Sequence, residues 1–188
     1  IDLLLIHQAF GDYYGTYRAM QKALEAGKVR AIGLSNFVDA RFVDLVENME
    51  VKPAVLQLET HVFSQQKRMR ELMAPYGTRL MAWAPLAEGR NGIFTHPTLT
   101  VIGAKYGKTA AQTALRFLMA EDVIAIPKSV HRERLVENFS IDDFELSAED
   151  LDAIRALDGG KPMFADFNDP TLAKFLLEYD AKFNPERQ

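Results

Sequence analysis

Cysteine is absent from the 188 residues. This excludes disulfides, thiolate-ligated zinc and a thiol nucleophile, and it fits a reducing, cytoplasmic compartment. Long apolar runs are absent too. The longest is Leu80–Ala84, and Leu3–Ile6 and Val123–Ile126 are shorter. None approaches the ~20 apolar residues that span a bilayer, and the first residues do not read as a signal peptide. Positive charge is not in excess: Lys+Arg is 22 against Asp+Glu 26, a net charge of −4. Nothing therefore marks a nucleic-acid or anionic-membrane partner. No G-x-G-x-x-G follows any apolar run, so the Rossmann fingerprint is missing. What remains is ordinary globular composition, 48% apolar and 26% charged, at a length that predicts one domain or two.

Short β-like runs alternate with helical patterns. The runs are Asp2–Ile6, Ala31–Leu34, Ala54–Leu58, Arg79–Ala84 and Val123–Ile126. Between them, Tyr17, Met20 and Leu24 repeat at helical spacing and stop at Gly27. Phe42, Leu45, Val46 and Met49 do the same, as do Met69, Leu72, Met73 and Tyr76 before Gly77. Thr109 with Gln112 reads as a capping box, and so does Ser147 with Asp150. Asp169-Pro170 predicts the start of a last helix, whose stripe Leu172, Phe175, Leu176 and Tyr179 is expected to pack on the domain. Strands alternating with helices predict β/α units around a parallel sheet. Right-handed crossovers then bring every strand's carboxyl end to one face.

Chemistry in such folds sits at those ends. The first run ends in His7, which the four preceding apolar residues predict to be buried. The second ends in Ser35 and Asn36. The third carries Gln57 and Glu59, the fourth Trp83, and the fifth ends in Lys128 and Ser129 with Arg134, Glu137 and Asn138 beyond. Each has an ordinary structural reading as core, turn or helix cap. Together they are polar or aromatic at all five ends. A cation, a hydroxyl, a helix N-terminus and an arginine at the last end predict a phosphate site.

These residues resemble a known family. DLLLIH (Asp2–His7), GKVRAIGLSNF (Gly27–Phe37), PAVLQLETH (Pro53–His61), WAPL (Trp83–Leu86) and IPKSVHRERLVENF (Ile126–Phe139) are similar to the motifs of the aldo-keto reductases. Ala87–Leu99 is most like the bacterial diketogulonate-reductase-like branch. The resemblance implies a (β/α)8 TIM barrel, of which residues 1–158 supply about five β/α units, an incomplete barrel, and 159–188 a C-terminal loop and tail helix. It implies NADPH-dependent reduction of aldehydes or ketones, small dicarbonyls or sugar-derived keto acids among them, by the complete protein, with NADP(H) as cofactor. His7 corresponds to the histidine beside the substrate carbonyl. Ser35, Asn36 and Gln57 correspond to the residues that bind the nicotinamide carboxamide. Trp83 stands where the family usually stacks a tyrosine, and Leu86 lies in the loop beside the pyrophosphate. Lys128, Ser129 and Arg134 match the 2′-phosphate site, and Glu137 and Asn138 the adenine end. Ala84 replaces a common serine, and Val62 a common proline.

The family's catalytic tyrosine, aspartate and lysine lie upstream of its LLIH strand. Ile1 stands at the edge of that apolar run, which reads as a chain whose upstream part is missing. Tyr13, Tyr14 and Tyr17 match no proton-donor motif. Two rival readings stay open. One is a catalytically silent cofactor-binding or structural module. The other is a phosphate-binding isomerase barrel, for which Glu59 is the only strand-end carboxylate. The first and last strands would be open edges, so partnering with the missing N-terminal part or with a second copy is expected.

Overall fold

The computed structural model describes residues 1–183. Residues 184–188, the end of the predicted C-terminal segment, lie outside the described part. In chain order the elements are β1 (Leu3–Ile6), α1 (Tyr13–Glu25), β2 (Ala31–Ser35), α2 (Ala40–Asn48), β3 (Val55–Glu59), α3 (Lys67–Met73), β4 (Arg79–Trp83), α4 (Pro97–Lys105), α5 (Ala110–Ala120), β5 (Ile124–Ala125), α6 (Arg132–Phe139), α7 (Ala148–Arg155) and α8 (Pro170–Phe183). All five predicted strands form. Their order in the sheet is β1-β2-β3-β4-β5, and β1–β2, β2–β3 and β4–β5 are parallel.

The chain divides into two compact units. The first comprises Ile1–Gln57, Arg68–Thr78 and the stretch from Pro162; the second comprises Leu58–Lys67 and Arg79–Lys161. In the first unit, Asp12 caps α1 by accepting the Gly15 N–H at 2.8 Å. The buried stripe Tyr17 and Met20 follows, and Gly27 closes the helix in the left-handed region at φ 67°. Phe42, Leu45 and Val46 form the buried face of α2, and Ile32, Leu34 and Leu56 of the strands are buried as well. Gly33 sits between Leu5 and Val55 in register, and a Cβ there would lie 2.7 Å from the Val55 carbonyl oxygen. Asp169 starts α8 by accepting the Thr171 N–H at 2.7 Å. The expected packing of its stripe is only partial: Leu172 and Leu176 are half-buried, whereas Phe175 and Tyr179 remain more than half exposed and pair with each other.

In the second unit, the Thr109 capping box forms in full and opens α5. α4 was not legible as a helix in the sequence. It packs closely on α5 because Gly103 has no side chain: a Cβ would lie 2.7 Å from the Thr113 hydroxyl of α5 and 2.5 Å from the Lys108 carbonyl oxygen just before it. The second capping box is only half made. Ser147 accepts the Asp150 N–H at 3.2 Å, but the Asp150 carboxylate turns to the Lys105 ammonium and, at 2.7 Å, the Tyr106 hydroxyl. The Ser147 N–H is satisfied instead by that hydroxyl, at 3.1 Å. The physical reason is burial. Asp150 is 2% exposed, and a buried carboxylate requires a cation or strong donors rather than one backbone amide.

Two outcomes test these packing statements. Gly33→Ala should lower stability by about 1–3 kcal/mol in urea titrations, because the methyl group meets the Val55 carbonyl oxygen as well as the Leu5 and Val55 side chains, so side-chain movement alone does not relieve the contact. For Asp150, burial opposes ionisation, but the bonds from Lys105 and Tyr106 outweigh it and hold the carboxyl below its ordinary value of 3.8. Such a group contributes stability above the ordinary value and loses it as the pH falls through the folded-state value. Asp150→Asn should therefore melt lower than the unaltered protein at pH 7, with the gap closing below about pH 4.

Candidate active site

The strand ends of the first unit form one row. Ile6 pairs with Leu34, and Ser35 with Gln57, so one further step sets His7 beside Ser35. His7 is exposed rather than buried, because the chain leaves the sheet at Ile6. Its imidazole makes no hydrogen bond among the described residues. Its backbone carbonyl accepts from the Asn36 side-chain amide at 3.2 Å. Asn36 is 4% exposed and sits at φ 61°, a conformation asparagine tolerates better than most residues. Its N–H donates to the Gln57 carbonyl oxygen at 3.0 Å. Ser35 is 2% exposed, and its hydroxyl has no hydrogen-bond partner among the described residues. A buried hydroxyl left unpaired costs ~1–3 kcal/mol. The structure thus brings His7, Ser35, Asn36 and Gln57 together.

The sequence reading takes His7 alone at the end of the first run and so omits Gln8. Its Oε1 accepts from the same Asn36 Nδ2 at 3.3 Å. Its position next to His7 was the available signal. The tyrosines near this row are engaged elsewhere. The hydrogen bond Tyr14 donates to Asp44, at 2.5 Å, raises its hydroxyl to about 12. Burial pushes Tyr17 up as well, and its hydroxyl donates to the Val51 carbonyl oxygen at 3.1 Å.

In the second unit, Trp83 closes β4, half-buried, with its carbonyl oxygen accepting the Thr60 N–H at 3.1 Å. The chain then enters a loop where Ala84, Ala87, Glu88 and Asn91 all have φ between 47° and 53°. Four non-glycine residues in the left-handed region within one short loop store strain of the kind that concentrates at ligand-gripping segments. The side chain of Leu86, half-buried, packs against Leu115, Ile141 and Phe144. Glu59 is 3% exposed and bonded to the buried His61 at 3.2 Å, which withdraws the strand-end carboxylate that an isomerase would need in contact with substrate.

Lys128 and Arg134 are exposed at the start of α6, with no ion pair among the described residues. The Ser129 hydroxyl accepts the His131 N–H at 3.2 Å and so shapes that turn. The Glu137 carboxylate accepts from the Thr109 hydroxyl at 2.6 Å. Asn138 lines a groove of about 710 Å³ with Ile124, Leu135 and Phe139. Among the described residues no group of acidic or histidine side chains is placed to hold a metal, and no helix is long and apolar enough to cross a membrane.

The aldo/keto reductase family matches residues 1–159. A glyoxal reductase of Bacillus subtilis (strain 168) is 42% identical over 158 residues, which are 84% of this chain and 56% of that protein. The NAD(P)H-dependent D-xylose reductase I,II of Candida tropicalis is 37% identical, over 82% of this chain and 50% of the relative. Among solved structures, an aldo-keto reductase from a Medee basin deep-sea metagenome library superposes with a TM-score of 0.85 at 39% identity, covering 90% of this chain and 64% of that one. A Bombyx mori aldo-keto reductase in complex with NADP gives 0.81 at 31% identity, covering 90% and 62%. The chain spans about half to just under two thirds of these relatives, and its five parallel strands are part of their (β/α)8 barrel. With the match running through all five strand ends, the chain belongs to the aldo/keto reductase family.

Proposed function

We propose that this chain holds NADP(H) and orients a small carbonyl compound, as part of a reductase that turns aldehydes or ketones into alcohols. The observation that carries the reading is the Ser35 hydroxyl, buried and unpaired beside Asn36 and Gln57. Three amide-and-hydroxyl side chains at adjoining strand ends suit a planar group with its own donor and acceptor, and a nicotinamide carboxamide is such a group. When bound, the reduced nicotinamide supplies the hydride.

The chain's own residues then have separable tasks. Ser35, Asn36 and Gln57 fix which ring face is presented. Trp83 offers a flat apolar surface for stacking. His7, exposed and without an internal partner, donates a hydrogen bond to the substrate oxygen, where negative charge develops. The strained loop carrying Leu86 lies along the pyrophosphate. Lys128 and Arg134 hold the 2′-phosphate on the α6 turn that Ser129 shapes. Glu137, braced by Thr109, and Asn138 serve the adenine end. Proton delivery is not assigned to Tyr14 or Tyr17, whose hydroxyls are committed elsewhere, nor to Tyr13. The substrate class, a small dicarbonyl, is taken from the name of the Bacillus subtilis relative.

Arg134→Met should weaken NADPH binding by ~1.5–3 kcal/mol, the scale of one charge-assisted hydrogen bond, and leave NADH binding almost unchanged. Calorimetric titration of both cofactors decides it; an equal loss for both removes the phosphate assignment. Trp83 is the sole tryptophan, so its emission is a direct probe of stacking. Titrating NADPH should quench Trp83 and sensitise nicotinamide emission. Saturable binding without quenching would place the nicotinamide ring away from Trp83.

A further inference from the structure

Gln8 has no role in the assignments above, yet it completes the hydrogen bonding of the residue at their centre. The Asn36 side-chain nitrogen donates twice at the end of β1, to the His7 carbonyl oxygen at 3.2 Å and to Gln8 Oε1 at 3.3 Å. A backbone carbonyl can only accept, so Nδ2 must face β1 and Oδ1 must face away from it. On the other side, the Asn36 N–H is held by the Gln57 carbonyl oxygen at 3.0 Å. Asn36 therefore spans the ends of three neighbouring strands from a left-handed backbone position. Such a conformation persists where the surroundings over-determine it.

We propose that Gln8 is a positioning residue of the carboxamide site. Together with the His7 carbonyl, which sets the direction, it holds the Asn36 amide with Oδ1 on the side away from β1, matched to the NH₂ of a nicotinamide carboxamide. By the same bond it ties the segment bearing His7 to the residues that orient the cofactor, so the two move as one body. This rests on the reading that Ser35, Asn36 and Gln57 bind that carboxamide.

The test compares Gln8→Leu, which removes the acceptor at similar volume, with Gln8→Glu, which keeps it, in the full chain. Three ligands are titrated calorimetrically: NADPH, its acetylpyridine analogue, in which a methyl ketone replaces the amide, and adenosine 2′,5′-bisphosphate, which lacks the nicotinamide. Gln8→Leu should weaken NADPH by ~5–10-fold, the loss of about one net hydrogen bond. The other two ligands should bind as to the unaltered protein, and Gln8→Glu should stay close to it for all three. Unchanged NADPH binding by Gln8→Leu overturns the proposal. So does an equal loss for all three ligands, which marks a general structural defect. Failure of the unaltered chain to bind NADPH overturns the functional reading, and the Gln8 role with it. Binding by the unaltered chain with no ligand-selective effect at Gln8 overturns the Gln8 role alone.

Discussion

Parallel pairing in an unbroken register is the constraint on which the site of the first unit depends. Because Ile6 faces Leu34 and Ser35 faces Gln57, β1 and β2 end within a residue of each other, β3 runs two residues further, and His7, Ser35 and Gln57 fall in a row. A slip of one residue would turn every side chain of a strand to the opposite face. Gly33 permits this register, since any side chain there would meet the Val55 backbone. A residue without a side chain, at the middle of β2, thus decides where Ser35 and Asn36 arrive.

Much of this was legible in the sequence because it is local. Apolar runs of four or five residues between helical patterns locate the strands, and Thr109 with Gln112 locates the start of α5. α4 was not legible because its apolar residues do not keep to one face: Leu99 and Ile102 are buried while Val101 is 64% exposed. It also contains Gly103, which is disfavoured in a helix and retained here for close approach to α5. The half-made cap at Ser147 was misread for a related reason. Spacing shows which residues reach one another along a helix, not that Tyr106 and Lys105 arrive from α4 and its end to claim Asp150.

The candidate site divides along the same line. The five polar strand ends follow from the pattern alone, whereas their roles come from resemblance to a family whose motifs this chain carries from residue 1 to about 159. What neither source conveyed is how the residues hold one another. The Asn36 amide reaching back to Gln8, the Ser35 hydroxyl left unpaired and the left-handed turns after Trp83 are consequences of three-dimensional placement. Only the last has a weak sequence trace, in the glycine and asparagine of Ala87–Gly92.

α6 has no buried residue. Val136 and Phe139 are more than half exposed, and the cations that precede and open the helix rest on no core. Substitution along it therefore carries little packing penalty. In an element of this kind, selection on ligand choice can act almost independently of selection on folding. Under the proposed roles of Lys128 and Arg134, the preference for one dinucleotide over the other can drift or reverse through α6 while the strands, and the row of His7, Ser35, Asn36 and Gln57 that they set, stay as they are.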